Sequence, residues 1–251
     1  MNKTYKSVLI FAAVLSALGG LFFLIMQVTG RVSPDLDIKV ETLTMGYTSM
    51  ALPLNPTDNF WQTIEAVQIH LFPQSARVPY GNEERDVWIK GAFNDREIAF
   101  LLEFEDETEN RDDPAHSDAC AVMIIPGDSP ATAQMMGHGG KANIWHWRAD
   151  RDYQQYQLRV DTVKAVRELI ATGPGTQSAF TIQNAVGKGI YSNGRWHVII
   201  KRPLIHREEG EMQFDSENNF KIAFAVWDGA LEESLGIKSI SIVRSLKLLK
   251  N

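Results

Sequence analysis

Apolar and polar residues alternate in many short segments of this chain, a period of two that is typical of half-buried β-strands. The alternation is clear at residues 66–72, where Val67, Ile69 and Leu71 fall on one face. Further strands are predicted at residues 87–93, 97–104, 119–125, 142–147, 185–191, 196–200, 221–227 and 239–249. Asn94-Asp95 and Asn193-Gly194 each separate two of these strands, and such short turns predict β-hairpins.

One segment has the three- and four-residue spacing of a helix instead. At residues 160–172, apolar side chains recur at Val163, Val166, Leu169 and Ile170, and a Gly-Pro-Gly sequence follows. Many short strands with so little helix predict a mainly β fold. We expect an antiparallel β-sandwich with one or a few short helices.

The longest apolar run lies near the N-terminus, at residues 8–28. About 20 helical residues cross the hydrocarbon core of a bilayer, so this run predicts an N-terminal transmembrane helix. Lys3 and Lys6 precede it, which places the N-terminus in the cytoplasm and the rest of the chain on the periplasmic, extracytoplasmic side. A cleaved signal peptide is the alternative, although its apolar core is usually shorter.

These features divide the chain into three predicted parts. Residues 1–30 are the cytoplasmic N-terminus and membrane anchor (or signal peptide), residues 31–58 are a linker, and residues 59–251 form one β-sandwich domain. The linker contains several prolines, each of which removes a backbone donor and disfavours a long helix.

Composition excludes several classes of function. The net charge of -6 provides no basic surface for nucleic acid. Cys120 is the only cysteine, which excludes an intrachain disulfide and a zinc or Fe–S site built from cysteines of this chain. The sequence lacks the nucleophile-elbow and His-Glu-x-x-His motifs of hydrolases. An acidic loop at residues 105–118 leaves a calcium site open, but its spacing matches no standard calcium loop.

The first candidate site lies at residues 135–150. It begins with the adjacent Met135 and Met136, continues through a glycine-rich loop, and reaches Trp145 and Trp147 on a predicted strand. A thioether donor beside flat aromatic surface suits a large planar cofactor, whereas methionines also fill cores without any ligand.

Two histidines lie in the same stretch. His138 belongs to the glycine-rich loop, where it can ligate a metal or line a pocket. His146 lies between Trp145 and Trp147, so on a strand it points to the opposite face, and we interpret it as a solvent-facing residue.

The second candidate site is Gly187-Lys188-Gly189. Glycine weakens strand pairing and usually marks a bulge or a close approach of another group. A lysine held between two glycines is therefore either an exposed residue on a surface bulge or an inward amine that burial keeps neutral.

The chain resembles the haem-binding γ subunits of ethylbenzene dehydrogenase, dimethylsulfide dehydrogenase, and the selenate and chlorate reductases. The resemblance covers residues 60–249 approximately and rests on the order of several short motifs. These motifs are Asp58-Asn59-Phe60-Trp61, Asp118-Ala119-Cys120-Ala121-Val122, Met136-Gly137 with Asn143-Ile144-Trp145-His146-Trp147, Gly187-Lys188-Gly189 with Asn193-Gly194-Arg195-Trp196, Phe224-Ala225-Val226-Trp227-Asp228-Gly229, and Gly236-Ile237-Lys238-Ser239.

The resemblance implies a β-sandwich that holds one haem b through axial methionine and lysine ligands. Carried over to this sequence, the ligands are Met136 and Lys188, with Met135 and His138 in reserve. The pocket walls would then come from Gly137, Trp145, Trp147, Gly187, Gly189 and Tyr191.

The resemblance also implies a role in a complex. A haem with both axial positions filled transfers electrons rather than performing chemistry at the iron, so the chain is expected to be a non-catalytic subunit. Its implied partners are an Fe–S electron-transfer subunit and a molybdenum catalytic subunit of the DMSO-reductase type. A cytochrome c or a quinone-linked membrane enzyme would be the external partner.

The predicted anchor is a departure from the family, because relatives of this kind are generally soluble periplasmic subunits. A different class of function also stays open at this point. Carbohydrate-binding modules share the sandwich architecture, and exposed tryptophans of this chain would suit stacking on sugars.

Overall fold

A computed structural model describes residues 41–74, 83–129, 141–205, 208–214 and 219–250. Three short helical segments occur there: α1 (Asn59–Gln62), α2 (Ala149–Asp152) and a π-helical turn at Tyr153–Gln157. The strands are β1 (Thr42–Tyr47), β2 (Val67–Pro73), β3 (Arg85–Phe93), β4 (Glu97–Glu105), β5 (Ala119–Pro126), β6 (Ala142–Arg148), β7 (Val166–Ala171), β8 (Ser178–Ala179), β9 (Val186–Ser192), β10 (Arg195–Pro203), β11 (Phe220–Trp227), β12 (Ser239–Ser241) and β13 (Arg244–Leu249). The prediction of a mainly β fold with a few short helices is confirmed.

Hydrogen bonds join the strands in the order β8-β7-β6-β5-β11-β12-β2-β3-β4-β10-β9, and β1 and β13 pair beside this path. We call β8-β7-β6-β5-β11 leaf I and β2-β3-β4-β10-β9 leaf II, with β12 paired to both β11 and β2. Pairing within each leaf is antiparallel. β1 is an exception, since it pairs in parallel with both β13 and β3.

The two leaves pack face to face around the main core. Phe100 of β4 in leaf II contacts two aromatic rings of leaf I: its centroid lies 6.1 Å from that of Trp145 on β6 and 6.3 Å from that of Phe224 on β11. All three side chains are fully or almost fully buried. Aromatic pairs at these separations contribute burial and edge-to-face attraction, so the contact holds the leaves together as a sandwich.

Turn chemistry explains how the hairpins close. Asn193 and Gly194 both have positive φ, of 52° and 70°, as a type I′ turn between β9 and β10 requires. At the β3–β4 turn, the side-chain carbonyl of Asn94 accepts hydrogen bonds from the backbone N–H groups of Arg96 and Glu97. Both predicted hairpins are confirmed.

The helix predicted at residues 160–172 is wrong. Residues 166–171 form β7, which pairs with β6 on one side and β8 on the other. Val166 of this strand faces the core, whereas Leu169 lines a cavity on the other face of leaf I. Because β7 contributes apolar residues both to the core and to this cavity, their spacing imitates a helix.

Two further expectations concern the ends of the chain. The strand predicted at residues 239–249 is two strands, β12 and β13. β1 falls within residues 31–58, the predicted linker, and pairs with β13 over five residue positions. None of the helices in the described part of the chain is long and apolar enough to span a membrane. The anchor predicted at residues 8–28 lies outside that part.

Candidate functional site

The predicted methionine ligand lies outside the described residues. Met135, Met136, Gly137 and His138 belong to residues 130–140, which connect β5 to β6. Their assignment as haem ligands or pocket residues therefore stays a prediction.

The glycines around Lys188 have a packing reason in this structure. A Cβ added to Gly189 would lie 2.3 Å from Cζ2 of Trp147, and one added to Gly187 would lie 2.4 Å from Cγ2 of Val166. Trp147 is fully buried between the leaves, and its indole N–H donates to Oδ2 of Asp152 at 2.9 Å. The close approach predicted from the glycines is thus an approach of core side chains.

Lys188 itself alternates with these glycines along β9. Its Nζ lies 5.7 Å from the centroid of the Tyr156 ring, in the π-helical turn. The Tyr156 hydroxyl donates to the carbonyl of Gly187 at 2.9 Å, so this turn lies along the edge of β9. Burial raises the pKa of nearby Asp152 to about 6, although hydrogen bonds from Trp147 and Gly189 and then the positive charge of Lys188 lower it.

Of the remaining predicted wall residues that the structure describes, Trp145 lies in the core and Tyr191 is half-buried and packs against it. Trp145 packs on Phe100 and Phe214, with ring centroids 6.1 and 5.7 Å away. Tyr191 contacts Trp196 at 5.4 Å, and its hydroxyl donates to the carbonyl of Asp106. The structure therefore brings Trp147, Gly187 and Gly189 together, but these residues fill the sandwich interior.

A different region of the molecule has room for a ligand. A cavity of about 530 Å³ lies on the outer face of leaf I, on the side away from the core. Its apolar floor consists of alternate residues of neighbouring strands, many of them small: Ala119, Ala121, Met123, Ile144, Leu169, Ala223, Ala225 and Ile240. Volumes of this size are typical of sites for small molecules and cofactors. Neither Lys188 nor the tryptophans of β6 line it.

Several side chains that can donate to a metal line this cavity; His116 and Glu233 are already paired, with Asp113 and Arg85 respectively, and the others are Met123, His146 and Lys238. Met123 extends from the middle of β5, where it pairs with Ile144 on β6 and Ala223 on β11. His146 extends from β6 on the opposite face from Trp145 and Trp147, as the alternation predicted. Lys238 extends into the cavity directly before β12.

The environment lowers the pKa of both nitrogen donors. Burial lowers the pKa of Lys238 to about 8. Burial, followed by the positive charges of Arg148, Arg151, Lys238 and Arg167, lowers the pKa of His146 to about 3. Nε2 of His146 is buried and has no hydrogen-bond partner within the described ranges. The interpretation of His146 as solvent-facing is therefore wrong, because its strand face carries this cavity.

Aromatic contacts fix the positions of these donors. The His146 and Trp227 rings lie 4.8 Å apart between centroids, and Nζ of Lys238 lies 5.0 Å from the centroid of Trp227. Nζ of Lys238 also donates to the carbonyl of Leu235 at 3.0 Å. Trp227 thus holds both nitrogen donors at one end of the cavity.

Sequence reasoning missed Met123 and Lys238 for different reasons. Met123 lies in a strand that is buried on both faces, so its residues do not alternate in polarity. Lys238 lies within the Gly236-Ile237-Lys238-Ser239 motif that carries part of the resemblance. That motif was the feature of the sequence from which Lys238 could have been identified as a candidate ligand.

A cluster of carboxylates lies apart from the cavity. Oxygens of Asp106, Asp118 and Asp228 lie within 4.8 Å of one another. Asp118 is stabilised by donors, since it accepts from the N–H groups of Asn110, Gly229 and the Trp196 indole. Oδ2 of Asp106 is buried without a described partner. Burial, then the negative charges of Asp118 and Asp228, raises the pKa of Asp106 to about 8.

The comparisons with known proteins agree on one family. The sequence model of a family described as "Ethylbenzene dehydrogenase" matches residues 58–166 and 168–239. The chain is 27% identical over 221 residues to a protein of Haloferax mediterranei provisionally named respiratory nitrate reductase heme subunit, covering 86% of this chain and 73% of that protein.

Two further relatives have similar names. The dimethylsulfide dehydrogenase subunit gamma of Rhodovulum sulfidophilum is 24% identical over 230 residues, covering 84% of this chain and 80% of the relative. The chlorate reductase subunit gamma of Ideonella dechloratans is 27% identical over 145 residues, and this alignment covers 56% of this chain and 55% of the relative.

Among solved structures, the chain is similar to a family 9 carbohydrate-binding module from Caldicellulosiruptor kristjanssonii in complex with cellotriose. The TM-score is 0.48 at 11% identity, covering 84% of this chain and 95% of the module. Likeness at this level carries no argument about ligands.

Proposed function

The chain belongs to the ethylbenzene dehydrogenase family, and we propose that it is the haem b electron-transfer subunit of a molybdenum oxidoreductase complex of the DMSO-reductase type. The relatives support this role, because their names describe a heme subunit of a nitrate reductase and gamma subunits of a chlorate reductase and a dimethylsulfide dehydrogenase. In this proposal the subunit is non-catalytic and passes electrons between an Fe–S subunit and an external acceptor or donor.

The cavity on leaf I is the observation that carries the proposal. Its small apolar floor leaves room for a flat ligand, and its donors are a thioether, an imidazole and an amine with a lowered pKa. The unpartnered Nε2 of His146 shows that the walls do not satisfy their own polar groups. This combination fits a haem, since thioether and neutral nitrogen donors are usual haem ligands.

In this proposal Met123 and Lys238 would hold the haem iron. The resemblance implies one methionine and one lysine, and among the described residues one of each lines the cavity. His146 is a third donor in the same place. The pair predicted from sequence, Met136 and Lys188, is the competing assignment, in which Lys188 would have to serve from the edge strand β9.

A haem held by Met123 and Lys238 would supply one-electron transfer. Residues of this chain determine the surroundings of the haem and the position of its lysine ligand. The alanines and branched residues of the floor exclude water, which favours the less charged state of a cofactor. Trp227 and the carbonyl of Leu235 hold the amine of Lys238 in place.

The tryptophans argue against a sugar-binding surface. Trp61, Trp145, Trp147 and Trp196 are buried, and the other two are covered by cations. The Arg195 guanidinium lies 4.4 Å from the centroid of Trp88, and Nζ of Lys238 lies 5.0 Å from that of Trp227. A cation thus already lies over the rings of both tryptophans that are not buried in the core, which disfavours their stacking on sugars.

Location and partners are part of the proposal. We place the domain on the periplasmic side and anchor it through residues 1–30, on the strength of the apolar run and the lysines before it. An anchored subunit would meet a quinone-linked membrane enzyme or a cytochrome c, besides the Fe–S and molybdenum subunits of its complex.

The visible spectrum of the purified full-length chain tests the proposal. We expect a Soret band, a reduced α band and one haem b per chain. A colourless protein that also fails to take up added haemin would rule out the proposed function. Colourless protein that binds glycans would instead support a carbohydrate-binding module.

A further inference from the structure

One rim of the cavity is strongly cationic. Arg148 is the last residue of β6, Arg151 lies in α2, and Arg167 lies on β7 directly opposite His146. All three line the cavity. Side chains opposite each other on paired strands are neighbours, so the charge of Arg167 lies beside the apolar floor.

Asp150 compensates the three positive charges of this rim only in part. Nε of Arg148 donates to Oδ1 of Asp150 at 2.8 Å, and its Nη2 donates to the carbonyl of Pro114. Arg151 and Arg167, in contrast, form no hydrogen bond or ion pair with any residue that the structure describes. Burial, then the positive charges of Arg167 and Arg148, lowers the pKa of Arg151, and the negative charge of Asp150 offsets this only in part.

The cavity offers no anion of its own to balance them. Glu233 is the one carboxylate among the described lining residues, and its Oε1 lies 3.3 Å from a guanidinium nitrogen of Arg85. Glu233 also accepts a hydrogen bond from the backbone N–H of Asp228. A ligand that fills the cavity and balances the remaining positive charge must therefore bring negative charge to an otherwise apolar body.

We propose that Arg151 and Arg167 bind the propionate carboxylates of the haem, and that the acidic edge of the cofactor therefore lies at this rim. The inference rests on the proposed function and deepens it. A guanidinium suits the role because its planar donors match a carboxylate in two parallel hydrogen bonds. Arg148 adds positive charge to the rim, but its hydrogen bond to Asp150 leaves it less able to bind a carboxylate through two parallel hydrogen bonds.

The test compares ligands that differ only in their carboxylates. The apo form of the full-length chain is titrated with iron-free protoporphyrin IX and with its dimethyl ester, and binding is followed by porphyrin fluorescence; haemin binding is followed at the Soret band. The variant is Arg151→Gln/Arg167→Gln. Arg96→Gln is the matched control, because Arg96 is exposed in the β3–β4 turn of leaf II. Far-UV circular dichroism verifies that each variant folds.

In the wild type we expect the free acid to bind at least about tenfold more tightly than the ester, since only the ionised carboxylates accept charge-assisted hydrogen bonds from the two guanidinium groups. The double variant should lose this preference while binding the ester as well as the wild type does, and Arg96→Gln should retain it.

Equal affinity of the wild type for acid and ester would overturn the inference without a variant, and it would leave haem binding intact. An equal loss of both ligands in the double variant would also overturn it, because general damage to the cavity would explain the result. Failure of the wild type to bind haemin at all would overturn the proposed function together with this inference.

Discussion

Gly189 lies against the indole of Trp147, so closely that a Cβ on Gly189 would be 2.3 Å from Cζ2 of the ring. This contact joins β9 of leaf II to β6 of leaf I across the sandwich. The glycine that suggested a cofactor beside Lys188 is therefore needed for a core tryptophan.

Substitution of Gly189 should lower the stability of the fold without changing the haem spectrum. We expect Gly189→Ala to lower the free energy of unfolding by about 1–3 kcal/mol, because overpacking displaces a large buried ring. Gly46→Ala is the control, since a Cβ there meets nothing within 4 Å. Chemical denaturation measures both, and an α band that changes in Gly189→Ala would show that β9 contacts the haem after all.

Variants of the two lysines separate the competing ligand assignments. We expect Lys238→Ala to change the reduced α band and to weaken haem affinity at least about tenfold, since even outer-shell changes at metal sites cost about 10- to 100-fold. Lys188→Ala should leave the spectrum and haem content unchanged. The reverse result would favour Lys188 as the ligand. For the thioether ligand, Met123→Leu should change the α band and Met136→Leu should not; the reverse result would favour Met136.

The carboxylate cluster should make stability depend on pH. Because the pKa of Asp106 is raised to about 8 in the folded state, folding binds a proton between about pH 4 and about pH 8, and the free energy of unfolding falls as pH rises through this window. Asp106→Asn removes the buried charge. We expect its stability relative to the wild type to improve by at least about 1 kcal/mol from pH ~5 to pH ~9.

Thermal or urea denaturation at the two pH values measures this difference. Asp112→Asn is the matched control, because it makes the same charge change at an exposed position of the same loop. An Asp106→Asn variant whose relative stability is independent of pH would show that Asp106 keeps an ordinary pKa.

Loss of a buried ion pair should lower the free energy of unfolding more than loss of an exposed pair. Arg202 and Glu211 are both fully buried in their side chains and bind each other, and the Arg202 guanidinium lies 5.1 Å from the centroid of Trp145. Arg202→Met leaves Glu211 without this partner and should cost about 3–5 kcal/mol of unfolding free energy. Asp95→Asn breaks the exposed pair with Lys250 and should change little. Equal effects of the two variants would contradict the expectation.

The local pattern of the sequence determined most of the strands and both hairpins. Alternating polarity gives a strand its two faces, and the positive φ of Asn193 and Gly194 follows from side-chain chemistry within the turn itself. Alternation also placed His146 opposite Trp145 and Trp147. The ordered motifs were sufficient to identify the family.

Only the tertiary structure decided what each face contacts. Residues 166–171 form a strand because β6 and β8 pair with it, whereas their spacing alone favoured a helix. Trp147 lies in the core and His146 in the cavity because leaf II covers one face of leaf I and leaves the other open. Met123 and Lys238 both line that cavity because β5 pairs with β11 and β11 with β12, strands distant in sequence, and such long-range pairings leave no periodic signal.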